Sequence, residues 1–149
     1  MQKRIDKTIY QKEHKLSKII KLKNKIVSII VRNMILPNFR IWLYRIMGVN
    51  IGENVFIGLD CYIDDEVPTA ITIEDNVIIA FRVTIAAHDD SNKTVSPVII
   101  HNDVFIGTGS VILGGVNIGR GAIIGAGSIV RKDVPEYSVT MGNPAKVMN

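Results

Sequence analysis

The sequence predicts an all-β solenoid: a triangular parallel β-helix of about five coils, with a short helical segment before it and a short tail after it. Three patterns lead to this prediction. A large aliphatic residue returns every sixth position, a small or β-branched residue follows four positions later, and glycines stand beside both. The longest run comprises Ile100, Ile106, Ile112, Ile118, Ile124 and Val130. A helix would scatter these residues around its circumference, whereas short faces stacked about 4.8 Å apart would bury all of them.

Residues 1–47 form a separate basic region. They contain twelve of the 18 Lys and Arg residues and only two acidic residues, a formal charge of +10, while residues 48–149 carry −6. Aliphatic residues recur here at helical spacing, and Pro37 is expected to end a first helix before an amphipathic segment around Trp42. Two compatible interpretations stay open. The region caps the first coil, as terminal repeats of solenoids require, or it lies on a membrane surface.

Residues 48–136 make up the β-helix, and the repeat is interrupted twice. The step from Ile63 to Ile73 is ten residues and the step from Ile85 to Ile100 is fifteen, so extra residues must loop out near 66–70 and within 88–97. Loops that interrupt a solenoid usually carry its function. Residues 137–149 follow as a C-terminal tail.

Glycine and cysteine positions support the same architecture. Gly109, Gly121 and Gly127 precede the small residues, where a tight corner would need a positive φ. Cys61 occupies a small-residue position, which favours a core residue over a nucleophile. One cysteine excludes an internal disulfide and fits a reducing compartment. No apolar run spans a bilayer and no signal-peptide pattern is present, so a cytoplasmic protein is expected, with peripheral contact at the inner membrane face as an open alternative.

The segments "AAHDD", "DVFIG", "GAGSIVRKDVP" and "GNPAK", in this order, resemble the hexapeptide-repeat acyltransferase superfamily. The likeness is greatest to its maltose, galactoside and polysaccharide O-acetyltransferase branch, and it covers the chain most closely from about residue 71 onward. The resemblance implies a left-handed β-helix, a homotrimer, and acetyl-CoA bound as co-substrate in the groove between neighbouring subunits. No metal and no nucleic acid are expected.

The resemblance assigns the catalytic role to His88 in "AAHDD". A sugar hydroxyl is almost never ionised at neutral pH, and a neutral imidazole is an apt base for it. The implied reaction is direct transfer of the acetyl group to the deprotonated oxygen.

The resemblance also carries over the cofactor contacts. Phe105 stands where relatives often have Trp beside the pantetheine arm, and the backbone at Thr108 and Ala126 is expected to meet the pantetheine amides. Basic residues near the end of the chain are expected to contact the nucleotide phosphates, namely Arg131, Lys132 and Lys146.

The acceptor is the least determined part. An acceptor-binding Asn of the branch aligns with Gly58 or Leu59, and nearby carboxylates are candidates to replace it, although a solvated acidic turn is the alternative: Asp60, Asp64 and Asp65. A saccharide, perhaps one carried on lipid, is the leading acceptor class; serine or an antibiotic remains open. A non-catalytic scaffold is a second alternative. A zinc-dependent carbonic anhydrase would need three ligands, and the chain has only His14, His88 and His101.

Overall fold

A computed structural model describes residues 18–148 as two helices followed by a parallel β-helix. Helix α1 spans Lys18–Asn33 and α2 spans Pro37–Met47. The first helix therefore ends four residues earlier than expected, and Pro37 begins α2 instead of ending α1. A proline at the first position of a helix loses no hydrogen bond, because that N–H has no partner within the helix. Neither helix in this part of the chain combines the length and apolarity that crossing a bilayer requires.

Three parallel sheets form the faces of a triangular prism. Sheet A contains β1 (Asn50–Ile51), β4 (Ile71–Ile73), β9 (Val98–Ile100) and β12 (Asn117–Ile118). Sheet B contains β2 (Phe56–Ile57), β5 (Ile78–Ile79), β10 (Phe105–Ile106), β13 (Ile123–Ile124), β15 (Val139–Gly142) and β16 (Ala145–Val147). Sheet C contains β3 (Tyr62–Ile63), β6 (Thr84–Ile85), β11 (Val111–Ile112) and β14 (Ile129–Val130).

The chain visits the sheets in the order A, B, C, so each turn of the solenoid has one strand in each sheet. Four turns are complete, and a fifth consists of Val134, which bridges to Ile118, and β15, which pairs with β13. Ile100 and Ile118 are direct partners in sheet A, so an uninterrupted turn takes 18 residues. Within sheets A, B and C of the described residues, only β16 runs antiparallel to its neighbour.

The large aliphatic residues of the repeat fill the interior of the prism, as predicted. All of them from Ile51 to Val130 are buried, and their small partners lie beside them. Ser110 and Ser128 are also fully buried at the small position, where their hydroxyl groups donate to the carbonyl of Gly125. Burial of a hydroxyl is tolerated here because its hydrogen bond is made.

The corners between sheets A and B and between sheets B and C are formed by residues with positive φ three positions after an inward aliphatic residue. The predicted glycine corners are confirmed, with φ of 71° at Gly109, 64° at Gly121 and 68° at Gly127. In the earlier turns the same position holds Asn54, Asp60, Asn76, Arg82 and Asp103. Asn and Asp tolerate this conformation better than other residues with a Cβ, so the corner geometry persists without glycine.

Both predicted interruptions lie on the edge between sheets C and A, here called the C–A edge. The first contains a 3-10 helix at Pro68–Ala70, and the second is an antiparallel hairpin of β7 (His88–Asp89) and β8 (Thr94–Val95). Helix α2 packs on the first turn, where the hydroxyl of Tyr44 donates to the carbonyl of Cys61 at 3.0 Å. The C–A edge is thus where the chain departs from the repeat.

Candidate active site

Asp64 and His88 meet on the C–A edge because the strands before them are neighbours in sheet C. Ile63 of β3 is paired with Ile85 of β6, so the residues that leave these strands emerge side by side. His88 Nδ1 lies 2.5 Å from Asp64 Oδ2. The arrangement is a carboxylate–imidazole pair, the geometry that holds a histidine in one orientation and one tautomer.

The carboxylate of Asp64 is fixed by four backbone donors in addition to the imidazole. Its Oδ1 accepts from the N–H groups of Glu66 at 3.0 Å and Val67 at 3.3 Å, and its Oδ2 accepts from those of Ala87 at 2.9 Å and His88 at 3.0 Å. The side chain is fully buried. The prediction that Asp64 hydrogen-bonds an acceptor is therefore corrected: it has no surface toward solvent, and its partner is the histidine.

The second ring nitrogen of His88, Nε2, takes no part in the hydrogen bond with Asp64. When Nδ1–H donates to Asp64, Nε2 carries the lone pair, and the side chain is 18% exposed. Burial lowers the pKa of His88, but its hydrogen bond to the Asp64 carboxylate and the charges of Asp64, Glu66 and Asp90 outweigh it and raise the pKa above 6.5. Asp90 Oδ2 is 3.8 Å from Nε2. A partly buried imidazole of raised basicity is suited to accept a proton.

The hairpin that begins at His88 is closed by its own side chains. Asp89 Oδ1 accepts from the backbone and hydroxyl of Ser91, at 2.9 and 2.6 Å, and its Oδ2 accepts from the amide of Asn92 at 2.7 Å. These hydrogen bonds, from Ser91 first and then Asn92, lower the pKa of Asp89 to about 2. Asp89 is therefore anionic at neutral pH.

The two other candidate acceptor residues lie apart. Asp65 neighbours the Asp64–His88 pair and accepts a hydrogen bond from the Tyr62 hydroxyl at 3.1 Å. Asp60 lies on the edge between sheets B and C, where it pairs with Arg32 of α1 at 2.8 Å. Asp65 is therefore next to the pair in the chain but is buried, with its carboxylate on Tyr62, whereas Asp60 lies on a different edge. Tyr62, the hydrogen-bond donor to Asp65, was not predicted from the sequence as a residue of this region.

The predicted pantetheine contacts lie along the edge between sheets B and C, here called the B–C edge. Thr108 and Ala126 are exposed there in successive turns, and the N–H of Gly127 donates to the carbonyl of Thr108 at 2.8 Å. Phe105 points outward from sheet B, 41% exposed. A Cβ placed on Gly109 or Gly127 would meet no atom within 4 Å. The edge is therefore open at these two corners.

The predicted phosphate contacts lie on the other edge, with His88. Arg131 and Lys132 leave β14 at the C–A edge, two turns beyond His88. Together with Lys146 of β16 they line a cleft of about 1210 Å³. Three exposed cations around one cleft are suited to phosphate oxygens. Asp133 also lines it, but its Oδ1 already accepts from the backbone of Asn117.

Comparison with known proteins agrees with this architecture. Residues 97–132 match the model of the bacterial transferase hexapeptide (six repeats), and residues 48–85 match the hexapeptide repeat of succinyl-transferase. A putative acetyltransferase of Bacillus subtilis (strain 168), YvoF, is 35% identical over 130 residues, covering 85% of this chain and 76% of that protein. The chain belongs to the hexapeptide-repeat acyltransferase family. The predicted family and enzyme class are thereby confirmed.

Solved structures extend the comparison. A maltose O-acetyltransferase from Clostridium difficile 630 is 28% identical with a TM-score of 0.66, covering 95% of this chain and 87% of that one. A hexapeptide-repeat acetyltransferase of Vibrio cholerae O1 biovar eltor, solved with acetyl-CoA, shares the fold at 22% identity and a TM-score of 0.70, covering 89% and 87%. These matches imply that this acyltransferase fold is left-handed.

One further relative matches over a short stretch. A 2,3,4,5-tetrahydropyridine-2,6-dicarboxylate N-acetyltransferase of Staphylococcus aureus is 56% identical over 55 residues, which is 37% of this chain and 23% of that protein. The chain thus spans less than a quarter of that relative.

His101 is not brought to the site. His101 pairs with Glu74 at 3.1 Å on the edge between sheets A and B, and His14 lies outside the described residues. Within residues 18–148, no three His, Cys, Asp or Glu side chains are grouped as metal ligands would be.

Proposed function

We propose that this acyltransferase uses acetyl-CoA to acetylate a hydroxyl group of a saccharide, with His88 as general base. The observation that carries the proposal is the Asp64–His88 pair, in which a buried carboxylate orients a partly exposed imidazole at the start of the hairpin. A lone surface histidine would have no such support. The maltose O-acetyltransferase among the structural relatives favours a saccharide acceptor.

In this mechanism His88 Nε2 accepts the proton of the acceptor hydroxyl while the oxygen becomes the nucleophile. Asp64 stabilises the imidazolium that forms and holds Nδ1 in the donor role. Acetyl-CoA supplies an activated thioester carbonyl. His88 then returns its proton to the departing thiolate, so that the free thiol leaves and the imidazole is neutral for the next turnover.

The positions of the candidate contacts support a site shared by two subunits of a homotrimer. His88, Arg131 and Lys132 lie on the C–A edge, whereas Thr108 and Ala126 lie on the B–C edge of the same prism. Sheet C separates the two edges, so one extended cofactor would contact both sets most simply where the C–A edge of one subunit adjoins the B–C edge of the next.

A single buried cysteine fits a reducing compartment, which supports a cytoplasmic location.

The test is a thiol-release assay with acetyl-CoA and a panel of sugars, nucleotide sugars, serine and a dicarboxylic amino acid. We expect turnover with a sugar, and at least a ~100-fold loss of kcat in His88→Ala with CoA affinity retained by calorimetry. His101→Ala is the matched control and should keep its rate. Undiminished turnover in His88→Ala would remove the base from the mechanism, and preference for an amine would replace the saccharide.

A further inference from the structure

Helix α1 turns most of its aliphatic residues away from the protein. The residues that it buries are Asn24, Ser28 and Val31. Its opposite side carries five aliphatic residues that are 47 to 79% exposed: Ile19, Leu22, Ile26, Ile29 and Ile30. At 3.6 residues per turn these five positions fall within an arc of roughly 100°. We call this row the aliphatic stripe.

Lysines border the aliphatic stripe on both sides. On a helical projection Lys18 and Lys25 fall beside one margin and Lys23 beside the other. No acidic residue occurs anywhere in residues 18–47. An apolar strip between two cationic margins is the pattern of a helix that lies in the headgroup region of an anionic membrane.

Helix α2 and the connection before it extend the stripe. Ile35, Leu36 and Ile46 are exposed, and the rings of Phe39 and Trp42, also exposed, stack with centroids 5.1 Å apart. Lys23 Nζ donates to the carbonyl of Ile46 at 3.3 Å, which brings the margin of the stripe against the end of α2. A tryptophan at such a margin is typical of membrane interfaces, because the indole ring of Trp42 combines apolar area with a polar N–H group.

We infer that the stripe and the exposed residues of α2 bind the surface of an anionic phospholipid bilayer. A second copy of the chain is the competing occupant, but a symmetric pairing would bring the cations of two acid-free helical regions together. An anionic bilayer accepts both the aliphatic residues and the lysines. Residues 1–47 carry a net charge of +10, which also favours an anionic bilayer as the partner.

The inference also bears on the acceptor and there rests on the proposed function. The face of α1 opposite the stripe packs on the loop that begins with Asp64, the partner of His88: Asn24 Nδ2 donates to the carbonyl of Asp65 at 3.3 Å, and Lys21 lies 3.6 Å from Glu66. A helix is about 10 Å thick. The His88 site would therefore lie on the order of one helix diameter from the lipid surface, within reach of a saccharide anchored in the same bilayer.

The test is flotation of the full chain with vesicles of phosphatidylcholine containing one part in four of phosphatidylglycerol, compared with pure phosphatidylcholine. We expect binding to the anionic vesicles, weakening as salt is raised. The variant Ile26→Gln/Ile30→Gln should bind at least tenfold more weakly. Ile78→Gln, the same change at an isoleucine of similar exposure on sheet B, should bind like the unmodified chain.

The inferred membrane binding would be overturned by no flotation of the full chain or by undiminished flotation of the double variant. It would also be overturned by a lower oligomer mass of the double variant in light scattering, because the stripe would then be a contact between subunits. Flotation needs no catalysis, so its failure is separate from failure of the acyl-transfer assay.

A second experiment tests the lipid-anchored acceptor. In the presence of vesicles, the unmodified chain should acetylate a sugar on an alkyl chain several-fold faster than the free sugar, and the double variant should not. Equal rates for the unmodified chain would exclude a lipid-anchored acceptor.

Discussion

Isoleucine plays opposite parts in the two regions of this acyltransferase. In the β-helix the isoleucines at the sixth positions are fully or almost fully buried, whereas in α1 they are exposed and the buried side contains Asn24 and Ser28. A closed prism leaves its inward residues no alternative to burial. A helix lying on the surface of a domain can turn either side toward it. The contrast teaches that a hydrophobic pattern locates a core only when the backbone closes around it.

The largest expected effect separates the two kinds of isoleucine directly. Ile106→Ala should lower the free energy of unfolding by about 2–5 kcal/mol, because it leaves a cavity inside the prism. Ile29→Ala, at an exposed position of α1, should change it by less than about 0.5 kcal/mol. Chemical denaturation of both variants measures the difference. Equal losses would show that α1 buries its stripe in the assembled protein.

The next largest effect concerns Asp64, which directly precedes the residues where α1 and the β-helix meet. Asp64→Asn should lower kcat by at least about tenfold, because the imidazole loses the partner that fixes its tautomer. A base works deprotonated, so kcat/KM of the unmodified enzyme should fall as the pH drops through the raised pKa of His88, with a midpoint above 6.5. In Asp64→Asn this midpoint should move down.

Asp65→Asn is the matched control for this shift, since the Asp65 carboxylate contacts Tyr62 and not His88. Its midpoint should stay in place, and an unchanged midpoint in Asp64→Asn would refute the pairing.

The stability of the fold should depend on pH in the opposite direction to kcat/KM. Because the folded pKa is raised, the protonated ring stabilises the fold fully below pH 6.5, and that contribution is lost as the pH rises through the folded value.

The smallest effect concerns the corners of the β-helix, where residues with positive φ connect one sheet to the next. Gly109 has a φ of 71° and open space around its Cβ position, so a substitution acts through backbone conformation alone. Gly109→Ala should cost about 1–2 kcal/mol of unfolding free energy. Gly109→Asn should cost less, since Asn54 and Asn76 occupy equivalent corners. Thermal melts of the two variants would contradict this view if Asn were the more damaging residue.

Most of the β-helix could be predicted from the sequence because each feature has a local cause. The six-residue spacing fixes which residues point inward, the glycines at 109, 121 and 127 mark corners, and the two irregular steps locate the loops. His88 was predicted as the base from its motif, and that role remains a proposal. The family relationship rests on the same motifs and is confirmed by the comparisons.

The role of Asp64 and the orientation of α1 were not predicted, for physical reasons. Asp64 looked like a solvated acidic residue, because burial of a carboxylate depends on donors supplied by residues 23 and 24 positions further along the chain. A clue was present: both interruptions begin after the third strand of a turn, so Asp64 and His88 had to emerge on one edge. The apolar periodicity of α1 gave the angular spread of its aliphatic residues but not the side that faces the β-helix.

The two ends of the prism differ from its middle, and this governs how far it can grow. Identical strands stacked in register would polymerise into fibrils if the outer strands stayed open. Here α2 packs over the first turn, and at the other end sheet B finishes with the reversed strand Ala145–Val147, which carries the charged Lys146. Because neither terminus depends on how many copies of the 18-residue unit lie between, evolution can lengthen or shorten this protein by whole units.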